Sequence, residues 1–454
     1  MEEFMNQIKL FEEKMSKEKI SNTTINIFKH YYQLYIDGEK GKLSKDDIDL
    51  PFDNQIIDYD NLSDDSYVNL QKLAVIKLNG GLGTSMGLSK AKSLLPVKDG
   101  NTFLDITAQQ IVYLREEFNT DIPLIFMNSF NTSEDTLDFL KKYKSLPVKD
   151  IPLDFLQNKF PKVKKEDNKP LANKDDLLNW NPPGHGDIYN ALDEINLIDK
   201  LLDKGIEFLF ISNSDNLGAI VEPKILNEMI ENDIDFVMEV CNRTEMDKKG
   251  GHLARKKSGE LILREVAQCP DDEINEFQNI ELYKYFNTNN LWIRLKELKN
   301  LLTKYKGVLP LPLILNEKKV DEIPVYQFET AMGSAISLFN KSKAVCVPRN
   351  RFLPVKKTQD LLLLWSDIYY LNERSILEKN SNAKEIIVDL DPKFYGNIEQ
   401  LKETFDHGIP SLIDCNSLKI MGKILFGNSV KLSGNIELTS TDETFLENIH
   451  IKGL

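Results

Sequence analysis

Cysteine is scarce, with four in 454 residues, and Cys241, Cys269, Cys346 and Cys415 form no C-x-x-C pair. That spacing argues against a zinc site and a dense disulfide framework and leaves reduced thiols of a cytosolic protein as the expectation. No run of about 20 apolar residues occurs, so no segment is expected to cross a membrane. The opening stretch, MEEFMNQIKLFEEKMSKEK, is charged throughout and lacks the apolar centre of a signal peptide. A cytoplasmic location follows as the default. Histidine is rare, five in all, and supplies no triad signature. Positive charge is in deficit, 57 Lys+Arg against 71 Asp+Glu, for a formal net charge of −14. An acidic average disfavours a general binder of nucleic acid or of a membrane surface, because both are polyanions.

What is present fits a soluble globular chain, 41% hydrophobic and 28% charged. Its length suggests two or three packing units. The first stretch reads as two amphipathic helices, with Phe4, Ile8, Phe11 and Met15 on one face and Ile25, Phe28, Tyr32 and Tyr35 on another. Ser21 or Asn22 caps the second. A charged segment from Asp37 to Asp64 reads as a connector. From Leu73 short apolar runs alternate with helical segments. Leu73 to Leu78, Ile122 to Met127 and Glu207 to Ser212 read as buried strands. Leu104, Ala108, Ile111, Leu114 and Phe118 mark one intervening helix, and Ile195, Ile198 and Leu202 another, stopped by Gly205. That alternation predicts an α/β fold, mostly parallel and doubly wound.

The final stretch differs. Leu412, Leu418, Ile424, Val430 and Ile436 recur every sixth residue, with Ile420, Phe426, Leu432 and Leu438 as a second series. A sustained six-residue period signals a parallel β-helix. Ordinary hairpins would give the same matches through period-2 alternation, so both readings stand. The division expected is a helical segment at 1–45, a catalytic unit at 46–375 and a β-helix at 376–454.

One loop carries the first chemical signal. Leu78-Asn79-Gly80-Gly81-Leu82-Gly83-Thr84-Ser85-Met86-Gly87 follows the first strand directly, and Lys92 comes soon after. Glycines let the backbone approach a ligand and turn its amides toward phosphate oxygens. The loop is neither a Walker A sequence nor a dinucleotide fingerprint. With a lysine behind it, a nucleotide is the reading preferred over a plain tight turn.

KLNGGLGTSMGLSKAKSLLPVKDGNTFLD resembles the signature of eukaryotic-type UTP–glucose-1-phosphate uridylyltransferases, also called UDP-glucose pyrophosphorylases. PPGHGDIY (Pro182 to Tyr189), SNSDNLG (Ser212 to Gly218), FNTNNLW (Phe286 to Trp292), ETAMGSAI (Glu329 to Ile336) and RNRFLPVK (Arg349 to Lys356) resemble that family's motifs in its order. HGIPSL (His407 to Leu412) extends the likeness into the tail. Ala91 and Pro96 depart from the family's usual Pro and Glu. The resemblance implies a Rossmann-like, GT-A-like nucleotidyltransferase fold with a mixed central sheet and a C-terminal left-handed parallel β-helix. It implies UMP transfer from UTP to glucose 1-phosphate, with Mg²⁺, giving UDP-glucose and pyrophosphate. Some members are monomers and others assemble through the β-helix, so a homo-oligomer through that region is one of two expected states.

By the same resemblance Lys92 and Lys356 are the catalytic cations at the phosphates. Leu78, Asn79, Gly80, Gly81, Gln157, Gly184 and Asp215 complete the UTP contacts. Gly80, Gly81, His185, Asn213, Ser214, Asp215, Asn289 and Glu329 face the sugar phosphate, with Asn290 an alternative to Asn289. Asp215 is the expected metal ligand, since Mg²⁺ at nucleotides often takes only one or two carboxylates. A lone lysine, Asx turn or loop histidine would mean little; their places inside matching motifs change that weighting. The nucleophile is a phosphate monoester, with a second pKa of about 6, so it needs no general base. The problem is charge neutralisation. Two rivals are an enzyme of broader sugar 1-phosphate range and a non-catalytic sugar-nucleotide-binding homologue. Amino-sugar relatives carry Arg where this chain has Ser85, and retained lysines with Asp215 disfavour a dead homologue. The basic cluster Lys159 to Lys169 reads as a solvated loop or a phosphate-facing flap.

Overall fold

Leu73 to Asn79 is a strand buried on both faces, the condition of a central parallel strand covered on either side. Around it the computed structural model, which describes residues 2–63, 69–88 and 90–453, forms a mixed sheet. The side chains of 2–5 and of Ser85 lie outside the described residues, and with them the expectations placed on Phe4 and Ser85. From edge to edge the order is Ile56–Asp58, Ser342–Cys346, Phe236–Asn242, Tyr285–Arg294, Phe208–Asn213, Leu73–Asn79, Leu124–Asn128 and Asp154–Leu156. All pairings along this path are parallel except the two made by Tyr285–Arg294, which runs antiparallel to both neighbours. Leu73–Asn79 and Phe208–Asn213 therefore end on the same edge, where open α/β sheets place their ligands.

Apolar side chains decide what covers the sheet. Helix Phe103–Phe118 opens with a capping box, Thr102 and Asp105 satisfying each other's backbone amides. It lays Leu104, Ala108 and Ile111 onto Val75 and Phe210. Ser21 caps helix Asn22–Ile36 by accepting from the Thr24 amide, and Phe28 and Tyr32 of that helix pack with Phe160 and Phe328. The described residues contain no helix long and apolar enough to cross a membrane.

Three expectations need correction. The segment read as a connector supplies edge strands, Ile48–Asp49 against His252–Lys256 and Ile56–Asp58 against Ser342–Cys346; its charges mask short apolar pairs that a sheet edge can use. The helix placed on Ile195, Ile198 and Leu202 is two helices, Ile188–Glu194 and Leu197–Asp203, broken by Asn196 at φ 55°, and Ile195 is exposed. Lys159 to Lys169 is solvated only in part: Glu166 and Lys169 are exposed, but Lys162 is buried and donates to the Leu178 carbonyl, while Lys159, Lys164 and Lys165 are ion-paired to Glu18, Asp167 and Glu317. Short strands there pair with Trp180–Asn181 and Ile323–Glu329.

In the tail, Ile387–Leu390, Ser411–Met421, Lys431–Thr439 and His450–Lys452 form one sheet, and Ile424–Phe426 pairs with Thr444–Leu446. Every pairing is parallel, which excludes hairpins, since a hairpin joins antiparallel strands. Leu412, Leu418, Ile420, Phe426, Leu432 and Ile436 are buried. They share one apolar core with Met86 of the glycine-rich loop and with Val97 and Phe103 just after it, so this tail is fastened to the sheet rather than tethered beside it.

Candidate functional site

The glycine-rich loop leaves the end of the central strand and bends through positive φ at Gly83 (66°) and Gly87 (75°), conformations that favour glycine. The loop is tied back by the Lys92 amide, which donates to the Gly81 carbonyl at 3.1 Å. A Cβ on Gly81 would meet nothing within 4 Å, so that peptide faces open space. Lys92 reaches across to the neighbouring strand end, where its Nζ stands 2.5 Å from Asp215 Oδ2 and also donates to the Val355 carbonyl. The two side chains keep 16% and 24% of their surface, enough contact with solvent for a ligand to reach them. Val355 pairs back through its amide to the Asp215 carbonyl at 3.3 Å, and Asn216 bridges to Pro354. Lys356 follows at once. It is exposed, with its Nζ 6.0 Å from the Phe352 ring centre, and it makes no ion pair among the described residues.

Beneath these loops lies a buried polar brace. Arg351 clamps Glu239 with Nε on Oε2 at 2.7 Å and a second nitrogen on Oε1 at 2.6 Å. Trp292 and Asn290 donate to the same carboxylate at 2.8 and 3.1 Å. Asn216 accepts from the Leu353 amide at 2.8 Å and donates to the Arg351 carbonyl at 3.2 Å. Bidentate and backed by Trp292 and Asn290, the pair fixes the segment that presents Lys356 against the loop of Asp215.

The other end uses neutral groups. A bulge in the antiparallel strand shifts the register from Glu239↔Asn290 to Val240↔Asn287, and Asn289 leaves the ladder at φ 64°. Its amide nitrogen lies 3.4 Å from the Asn213 side-chain oxygen, while Asn290 is consumed by the brace. Of the two candidates, Asn289 is therefore the one turned toward the site. Gly184, at φ 78°, is pressed against Thr330: a Cβ there would stand 2.4 Å from the Thr330 carbonyl oxygen and 3.0 Å from Glu329 Cβ. The Thr330 amide donates to the Pro183 carbonyl, and the Gly186 amide to the Thr330 carbonyl, both at 2.9 Å. His185 Nδ1 accepts from the Met332 amide at 2.9 Å. That bond leaves the ring proton on Nε2, and burial pushes the pKa down to about 4, so the ring is a neutral donor. Burial also raises the Glu329 carboxyl.

Gln157 lies against the loop, where a Cβ on Gly80 would come within 2.9 Å of its Nε2. The next residue, Asn158, donates its backbone and side-chain nitrogens to the two Asp187 oxygens at 2.6 and 3.0 Å. Burial pushes Asp187 up to about 6. This contact joins the glutamine segment to the PPGHGDIY turn, and it was invisible in sequence because the partners are separated by a whole hairpin. Asn79 is in the site's floor rather than open to it: its side chain donates to Asn128 and Thr136 and accepts from Ser214, at 2.8, 2.9 and 2.9 Å. Leu78 contributes its carbonyl to the Ser214 amide at 3.0 Å. Direct contacts thus join Gly80 to Gln157, Lys92 to Asp215, Asn79 to Ser214 and Asn289 to Asn213. Gly184, His185 and Glu329 form a second group, tied to the first through Asn158 and Asp187. Lys356 makes no direct contact with another predicted residue among the described residues. The brace was missed, although an Arg flanked by Phe, Leu, Pro and Val in RNRFLPVK was its one signal.

The family model described as UTP–glucose-1-phosphate uridylyltransferase matches residues 25–433. The chain belongs to that family. The potato UTP–glucose-1-phosphate uridylyltransferase is 42% identical over 424 residues, covering 91% of this chain and 87% of that one. The baker's yeast enzyme of the same name is 38% identical over 456 residues, covering 96% and 90%. A point variant of Leishmania major UDP-glucose pyrophosphorylase superposes with a TM-score of 0.91 at 39% identity, over 99% and 98% of the two chains. Another, in complex with UDP-glucose, gives 0.88 at 39% identity over 99% of each.

Proposed function

We propose that this protein transfers UMP from UTP to glucose 1-phosphate, reversibly and with Mg²⁺, giving UDP-glucose and pyrophosphate in the cytoplasm. The observation that carries the reading is the Lys92–Asp215 pair at the ends of adjacent parallel strands, directly beside Val355 and Lys356. An oxygen of the sugar phosphate attacks the α-phosphorus, and the bond to the bridging oxygen of pyrophosphate breaks. No proton need move, so the residues act by charge and position. Lys92 exchanges part of its contact with Asp215 for the UTP phosphates, and Lys356, unpaired, meets the charge that develops at the reaction centre. Amides of the Gly80–Gly81 turn approach the phosphates of both substrates. Gly184 and Gln157 read the uracil edge; His185 donates from Nε2 to the sugar phosphate, and Asn213, Ser214, Asn289 and Glu329 meet the sugar. Leu78 and Asn79 shape the floor beneath the nucleotide.

Among the described residues no group of three or more His, Cys, Asp or Glu could cage a metal. Asp215, with one oxygen engaged by Lys92, fits Mg²⁺ only in company with nucleotide phosphates, which is how that ion is commonly held. When bound there, the ion supplies further neutralisation of phosphate charge. The three packing units at 1–45, 46–375 and 376–454 remain the division we favour, the last a β-helix supported by its uniformly parallel pairings, its left hand resting on the family resemblance. The decisive assay is pyrophosphate release from UTP with Mg²⁺ and each sugar 1-phosphate in turn. Release with glucose 1-phosphate ahead of galactose 1-phosphate and N-acetylglucosamine 1-phosphate is expected. No release with glucose 1-phosphate overturns the reading.

A further inference from the structure

Away from these loops, a cavity of about 190 Å³ opens over the sheet between helix Phe103–Phe118 and the 219–223 segment. Val75, Ile111, Leu114 and Phe210 give it apolar walls, and Lys77 and Arg374 also line it. Its size suits one aromatic ring, since an apolar void of roughly 150 Å³ is known to hold benzene. Lys77 is buried, with its Nζ on Ser212 Oγ at 2.8 Å and on the Ala219 carbonyl at 2.7 Å. An ammonium has three donors, so one more is left for a ligand. Arg351 opposes the Lys77 charge and Glu239, clamped by Arg351, partly supports it, while the carboxylates that line the cavity are engaged by other groups. Glu222 accepts from the Tyr59 hydroxyl at 2.5 Å and stands 3.8 Å from Arg351, and Glu117 faces Arg374 at 3.7 Å. The Tyr113 ring lies under Arg374, 5.6 Å from its guanidinium.

We propose that this cavity binds a small aromatic monocarboxylate, its ring against Ile111, Leu114 and Phe210 and its carboxylate on Lys77. Burial pushes Lys77 down to about 7, so near neutrality the free amine is only partly charged. A carboxylate beside it favours the ammonium, and binding takes up a proton.

Benzoate titrated into the full chain by calorimetry, in two buffers of different ionisation enthalpy at pH 7.5, tests this. Saturable binding with proton uptake is expected. Lys77→Met should weaken it about tenfold or more, the loss of a charge-assisted hydrogen bond. Ile111→Trp, which fills the cavity without touching the lysine, should abolish it, and so keeps the test intact if Lys77→Met fails to fold. Absence of binding, equal affinity in both variants, or equal affinity for benzyl alcohol overturns the site. The binding readout does not depend on which reaction the protein catalyses, so its failure is distinct from failure of the uridylyl-transfer reading.

Discussion

At the proposed phosphate end, cations sit on short loops, Lys356 exposed and without an ion pair among the described residues, and the rigidity lies below them in the Arg351–Glu239 clamp. At the proposed base-and-sugar end, glycines and amides lie flat against other backbone, and the rigidity is in the contact itself, Gly184 on Thr330 and His185 on Met332. Charge acts over several ångströms and tolerates small displacements, provided its support holds. Shape complementarity does not. Changes at the first end should therefore appear in turnover or in stability, and changes at the second in substrate affinity.

The largest effect is expected from Arg351→Met. It strands the Glu239 carboxylate, which is fully buried, and loss of one partner of such a pair costs about 3–5 kcal/mol. The urea midpoint should fall accordingly, and Glu239→Gln added to it should recover part of the loss. Lys92→Ala removes a phosphate cation and leaves Asp215 without its partner; kcat/KM for UTP should drop by about 10³ with little change in melting temperature. Retained activity would break the assignment of the phosphate end.

Gly184→Ala probes the other side. The added Cβ would meet the Thr330 carbonyl oxygen at 2.4 Å in a left-handed conformation, a strain of order 1–3 kcal/mol. KM for UTP should rise about tenfold while kcat stays close to the native value. The smallest change is Asp187→Asn. The carboxylate accepts two hydrogen bonds from Asn158, and an amide can accept only with its oxygen. KM for UTP should rise a few-fold. Because Asp187 titrates near 6, protonation below that pH removes an acceptor in the same way. The native KM should climb as pH falls through 6, and the Asp187→Asn value should not follow it.

Much of the candidate site's placement was legible because its residues lie inside contiguous motifs at strand ends, and the structure brings Lys92 and Asp215 together there. The strands Leu73–Asn79 and Phe208–Asn213 were legible for a related reason, since burial on both faces writes an unbroken apolar run. What failed were contacts between segments. The Asp187–Asn158 and Arg351–Glu239 pairs join distant positions, and nothing local distinguishes a clamped carboxylate from a solvated one. The edge strands at Ile48–Asp49 and Ile56–Asp58 failed because two or three residues carry too little periodicity to separate a strand from a charged linker. The six-residue period of the tail left hairpins open, and only the parallel partners removed them.

The central claim is that Lys356 acts on the charge of the transition state rather than on binding. Steady-state pyrophosphate release from UTP and glucose 1-phosphate by Lys356→Ala measures it directly. The account predicts a fall in kcat of about 10²–10³ with KM for UTP nearly unchanged. A retained kcat with KM raised to match would contradict it.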